Sequence, residues 1–409
     1  MDSGTRQECE TVGADANTRE LAAVHRMLCA VARSTMDAAA VKQLDDAVAE
    51  LTSWDAVPAL LVRHGLTILG ARHLSAVRDR IPFGTWMTIE QQAREAHALA
   101  LAKANELRRI VDALEARGLA VLAFKGPVLA WRAYGDFGAR PFMDLDLLVH
   151  PHDIASALLM LGTLGYTPVY RFRDQEDAWF RRVDGDYPLL DATGTGLVEL
   201  HARAMSLRFA GMPPVDVLWQ RRDGVPLGNR SIPALCADDA LLLQALHGAK
   251  HRWERIEWVA SVAALLRQRG GDVMPLIRVA PAAQRALLLA CAVAASWLDA
   301  PLSSETRMHC DGDPVVGRLA AAAWQHLVTG AVDEGPHATA AKIAFNFRVQ
   351  RGVVARARFI YRWTFWPSPE DWEFVRLPER FFFAYRAVRP LRLLARYGRR
   401  ITGMMPSHA

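Results

Sequence analysis

The stretch FKGPVLAWRAYGDFGARPFMDLDLLV, residues 124–149, holds Lys125-Gly126, Arg140 and the pair Asp144-Leu145-Asp146 at the mouth of an apolar run. Residues i and i+2 of a strand point to one face. Asp144 and Asp146 therefore present two carboxylates side by side, while Leu145 and Leu147 turn toward a core. Two carboxylates that close push one of the pair toward protonation, and a divalent cation removes the conflict. Mg²⁺ prefers a few carboxylates with phosphate oxygens and water over an all-protein cage. Two such ions about 3.5–4 Å apart can hold the attacking and leaving oxygens of an in-line phosphoryl displacement. The expected cofactor is Mg²⁺, as two ions, with Mn²⁺ as an alternative.

That chemistry calls for a third acid from a neighbouring strand. Glu199, in GLVELHA, is the candidate, placed to complete the metal site and to act as general base on an acceptor hydroxyl. Lys125-Gly126 falls at a strand-to-helix junction, where backbone N–H groups and a helix start favour phosphate. Arg140 adds charge against a triphosphate. In HGAKHRWERIEW, His247, Lys250, His251, Arg255 and Trp258 recur at helical spacings of three and four, so several share a face. Lys250, with His247 or His251, is expected to meet the nucleotide phosphates, against the plainer reading of packing in a helix seam. The two histidines make half of a zinc motif, but Gly248 stands where its Glu is needed, so zinc catalysis is not expected. His201 reads equally as a core hydrogen-bonder and as a participant. Each feature alone has a bland counterpart: a lone D-x-D is usually a solvated strand edge, and Lys-Gly an ordinary turn. Their order along the chain is what favours a site.

The elements that must position these residues are legible in outline. From about 19 to 118 the chain reads as helices, with Thr88 as the N-cap of a long Ala/Glu/Arg-rich helix closed by Gly118. Strands are expected at 119–124, 143–149, 187–192 and 196–201, the last two around the turn Thr193-Gly194-Thr195. Helices fall between the first three. This predicts an α+β fold, with a small mixed sheet over 119–234. From 235 to 335 the helical period returns, and 236–269 reads as one continuous pattern after Asp238-Asp239. Residues 1–18 are expected to be disordered.

Composition narrows the class. The 409 residues are 51% hydrophobic and 23% charged, which excludes an intrinsically disordered chain and predicts two or three units. Net charge is +5 and the pI about 9.1, which allows an anionic partner without demanding one. Five scattered cysteines with no C-x-x-C suit a reducing compartment. The polar, acidic start resembles no signal peptide, and the apolar run Ala286 to Leu298 is too short to span a bilayer. A cytoplasmic protein without a transmembrane segment is expected.

The segment 336–409 is basic and aromatic. Residues 341–402 hold one Lys and thirteen Arg against three Glu and one Asp, a net +10. Such a segment either docks on the body through its aromatics or offers a surface to an acidic partner, to RNA or to an anionic membrane.

The 124–149 stretch resembles the signature of the uncharacterised bacterial nucleotidyltransferase family within the polymerase-β-type nucleotidyltransferase superfamily, in which a Lys-Gly, an Arg-Pro and a D-x-D follow in this order. VELHA, HGAKHRWERIEWVASVA and RLPERFFFAYRAVRPLRLLARYG are similar too, so the likeness runs over roughly 100–400. It implies a palm-like core wrapped by helices, with Asp144, Asp146 and Glu199 as a metal triad. It also implies transfer of a nucleoside monophosphate from an NTP donor to an unknown hydroxyl acceptor, a small molecule, peptide or protein, with release of pyrophosphate. A role in tailoring natural products or polysaccharides is the expectation. The alternatives are a toxin of this fold that modifies tRNA, and a non-catalytic nucleotide-binding scaffold. Three positions depart from the pattern: Lys-Gly-Pro replaces the superfamily's Gly-Ser, Glu199 stands where Asp is common, and Ser261 stands where the family often has Asp.

Overall fold

A computed structural model describes residues 20–329 and 336–401. The segment 1–18, expected to be disordered, lies outside the described residues. One mixed sheet in the order β3-β4-β5-β2-β1-β7-β6 occupies the middle of the chain. Its strands are β1 (Val121–Phe124), β2 (Asp144–Val149), β3 (Thr167–Pro168), β4 (Asp186–Leu190), β5 (Leu197–His201), β6 (Asp223–Leu227) and β7 (Arg230–Ala234). The four expected strands are β1, β2, β4 and β5. Helical segments flank the sheet in sequence on both sides, so the fold is α+β.

The β6–β7 hairpin was not anticipated, because Pro226 and Pro233 read against strands. The structure tolerates both at the edge. β6 is the outermost strand, and β7 meets β1 at a single register position, Ala123↔Ala234. The turn residue Gly228, with φ 64°, was the available hairpin signal.

The two faces of the sheet differ. One carries Ala123, Leu145, Leu147, Val198 and Leu200, packed with Leu107, Ile110 and Leu114 of the long helix α1 (Phe83–Glu115). The other carries Leu122, Phe124 and Leu148 under the helix α3 (Ala237–Lys250), and then turns polar. Between β1 and β2 runs α2 (Gly126–Tyr134). Helices from before and after the sheet share the largest core, where Met27, Leu61 and Ile89 join Trp253, Val262 of α4 (Ile256–Gln268) and Leu287 of α5 (Gln284–Leu298). One helical stretch, Pro281–Leu298, is apolar and long enough to cross a membrane by length and composition, and 61% of it is buried inside the protein.

Two sequence expectations are corrected. The long helix starts at Phe83, not at Thr88, whose hydroxyl lies inside the helix and donates to the Gly84 carbonyl at 3.0 Å. Such back-bonding satisfies a mid-helix Thr without a cap. The continuous period over 236–269 is broken into α3 and α4 by Arg252 and Trp253, both left-handed at φ 57° and 58°. The reversal drives the Trp253 ring into the core against Gly248, where a Cβ would lie 2.4 Å from the ring. Gly248 is thus a close-approach residue. Gly248→Ala is expected to lower unfolding free energy by about 1–3 kcal/mol through overpacking, read by urea denaturation.

The basic aromatic segment is folded onto the body through α6 (Val353–Phe365), α7 (Pro369–Phe374) and α8 (Tyr385–Ile401). Trp372 and Tyr385 enter the sheet core. Arg208 donates to the carbonyls of Arg362, Trp366 and Pro367 at 3.2, 3.1 and 2.7 Å.

Candidate active site

β2 and β5 run parallel with Asp146 beside Glu199, and β4 runs antiparallel to β5 with Asp186 beside His201. The two-residue period of the strands puts Asp144, Asp146, Glu199, His201 and Asp186 on one face. That face opens into a cleft of about 860 Å³, lined by Lys125, Asp144, Glu199, His201 and residues of α1, α3 and α4. Asp146, 2% exposed, is buried among them.

Lys125 Nζ donates to Asp146 Oδ1 at 2.7 Å, and His201 Nε2 lies 3.1 Å from the same oxygen and 3.4 Å from Glu199 Oε2. Burial pushes the Asp146 carboxyl up, but the Lys125 charge and His201 outweigh it and hold the group below its ordinary range. Burial also opposes ionisation of Glu199, and the His201 hydrogen bond reverses that effect. Burial lowers His201 in turn, yet its two carboxylate partners raise it to about 9. Burial and the neighbouring Asp146 charge raise Asp144, and burial raises Asp186.

The backbone at Lys125 is strained. With φ 59° and ψ −155° it occupies a region that only glycine enters freely, at a cost of about 1–3 kcal/mol. Gly126 follows at φ 42°, and a Cβ there would come within 3.3 Å of the Asp144 carbonyl oxygen. This turn starts α2 beside the acids and returns the Lys125 side chain to Asp146.

One wall of the cleft is made by α3, α4 and the turn between them. The His247 and His251 rings lie 4.7 Å apart and tilted by 46°, and Trp258 lies 4.9 and 5.3 Å from them. Burial drives His247 well below its ordinary value and lowers His251 and Lys250. All three line the cleft, as do Gly126 and Arg140. Arg140 is already engaged: its Nε lies 2.6 Å from Glu257 Oε1, both side chains being buried, and Ser261 donates to the same oxygen at 2.9 Å. Ser261 therefore has a polar role, through Glu257.

Sequence reasoning passed over Asp184, Asp186 and Glu257, and left His201 undecided. The i, i+2 spacings Asp184/Asp186 and Glu199/His201 were the available signals. Glu257 had none, because its partner Arg140 is far away in sequence.

Among the described residues, Asp146, Glu199 and His201 form a group whose ligand atoms lie within 4.8 Å of one another, and Asp144 stands outside it. Asp146 Oδ2 is buried with no hydrogen-bond partner. A bare buried carboxylate oxygen is costly, and two carboxylates with an imidazole are donors that a divalent cation accepts. The residues fit such an ion once His201 gives up the proton that its two carboxylate partners hold up to about 9.

The model of the uncharacterised nucleotidyltransferase family matches residues 50–299. The chain belongs to this family. The matched span includes every residue discussed above as lining or underlying the cleft. No curated protein matches the chain. Among solved structures, an antigenic nucleotidyltransferase-like protein from Paracoccidioides brasiliensis matches with 16% identity and a TM-score of 0.31, covering 53% of this chain and 97% of its own. That likeness is too loose for any residue role to pass from one to the other.

Proposed function

We propose that this nucleotidyltransferase moves a nucleoside monophosphate from an NTP to a hydroxyl acceptor and releases pyrophosphate. In this reading Asp146, Glu199 and His201 hold a divalent cation, Mg²⁺ or Mn²⁺, and Asp144 stands at the mouth of the site. The observation that carries the reading is the bare buried Asp146 Oδ2 within the Asp146–Glu199–His201 group, inside a nucleotide-sized cleft. When bound, the cation supplies neutralising charge and polarises the phosphoryl group.

The protein's own groups do the rest. Glu199 takes the acceptor hydroxyl proton as the oxygen bonds to the α-phosphorus and the α–β bridging bond breaks. Lys125 neutralises the acids before substrate arrives, and its ammonium is at hand for a phosphate oxygen. Lys250, held down by burial, regains its charge most easily beside an anion. His247, kept neutral by burial, hydrogen-bonds without adding charge. Arg140 acts through Glu257 and holds the cleft wall in place.

Calorimetric titration of ATP, GTP, CTP and UTP, with Mg²⁺ and with chelator, tests this. One NTP is expected to bind only with the metal, and the Asp144→Ala/Asp146→Ala variant is expected to lose it. Binding that ignores both metal and variant, or no binding at all, would overturn the proposal. A scaffold reading predicts metal-dependent binding without NMP formation.

A further inference from the structure

The C-terminal helices α6 and α8 are built with their polarity inverted. In α8 the inward face carries Tyr385, Arg389 and Arg392, which are buried, while Leu391 and Leu394 stand 64% and 65% exposed. Helical spacing puts Ala387, also exposed, in the same outward stripe. In α6, Phe359 is buried, and Arg362 donates to the Leu207 carbonyl at 2.5 Å. The opposite face shows Val353 and Val354, 82% and 71% exposed, with the rings of Tyr361 and Phe365 5.4 Å apart and tilted by 35°. Arg362, Arg389 and Arg392 are spent inward, and these aliphatics face out. Apolar side chains displayed in this way on two packed helices call for a partner.

Charge selects the partner. Of the nine arginines in α6 and α8, which contain no acid, Arg389 and Arg392 are paired with Asp371, while Arg358 and Arg386 are exposed and keep their charge toward solvent. The exposed acids of this segment, Glu370, Glu373 and Glu379, lie in α7 and the turn after it. A second copy of the chain on these helices would bring like charges together, whereas an anionic lipid surface complements them and takes the apolar side chains into its interface. A second feature of the same region agrees. A groove of about 360 Å³ is lined by Trp179, Phe382, Phe383, Arg380 and Arg386, with Glu379 as its one acid, and Arg386 lies 5.9 Å from the Trp179 ring. Interfacial aromatics with guanidinium groups suit the phosphate and glycerol level of a bilayer. We propose that the α6–α8 face docks this protein on an anionic phospholipid surface.

The test is flotation of the full chain with vesicles of phosphatidylcholine, with and without phosphatidylglycerol. Binding is expected only with phosphatidylglycerol, and to fall as salt rises. Leu391→Glu/Leu394→Glu is expected to cut the bound fraction roughly tenfold, with wild-type unfolding and elution. Val353→Ser/Val354→Ser on the other helix gives an independent reading if the first variant fails to fold. The proposal is overturned if phosphatidylglycerol vesicles do not bind the protein, or if binding survives both variants. It is also overturned if light scattering shows a lipid-free dimer that the variants split, or if single-stranded RNA is retained by the same residues while vesicles are not.

Discussion

Asp146→Asn is expected to lower nucleotidyl transfer by roughly 10³-fold or more, about 4 kcal/mol of transition-state stabilisation. The amide keeps the size of the side chain and an oxygen for Lys125. It removes the charge that Lys125 and His201 both contact and turns the bare Oδ2 position into a poor ligand for a cation. Asp144→Asn is expected to cost far less, roughly tenfold, because Asp144 stands outside the group of close ligand atoms. The measurement is metal-dependent conversion of the bound NTP to NMP and pyrophosphate, with water as surrogate acceptor. Equal losses in the two variants would return the pair to the symmetric roles that a D-x-D motif implies.

The second large effect lies away from the cleft. Asp371 is buried, and its oxygens accept from Arg389 Nη1 at 2.9 Å, Arg392 Nε at 2.5 Å and the Ser368 backbone N–H at 2.8 Å. The Arg389 and Arg392 side chains are only 5% and 10% exposed. Asp371→Ala strands two buried guanidinium groups, and breaking a buried pair in this way costs about 3–5 kcal/mol. The helix start at Pro369 also loses its reciprocal cap, which adds about 1 kcal/mol. The expected result is a lower urea midpoint together with rapid proteolysis between α6 and α8. A neutral variant, within about 0.5 kcal/mol, would mean that the segment is not held by this cluster. Asp371→Asn is expected to fall between, since it can still accept from one arginine.

These two results separate what was legible in the residues from what was not. The period-two pattern of MDLDLLV and GLVELHA, and the strand–Lys-Gly–helix–strand order, depend on chemistry within a few residues. Such patterns can be read in one dimension, and β1, β2, β4 and β5 followed from them. The pairing of Asp146 with Glu199 could be proposed on the same footing, but not its register, because strand neighbours are chosen by contacts across the sheet. That register brings His201 onto Asp146 and leaves Asp144 outside the close group.

Long-range partners were hidden for the same reason. Arg140 reads as a free cation, and becomes one half of a buried pair only when α4 brings Glu257 to it. The arginines of 341–402 read as a basic patch, yet Arg389 and Arg392 are spent on Asp371, and the Leu391 and Leu394 side chains are turned outward instead. Composition counts charges without saying which are neutralised. Only the packing of the helices against the sheet assigns each charge a partner or leaves it facing water.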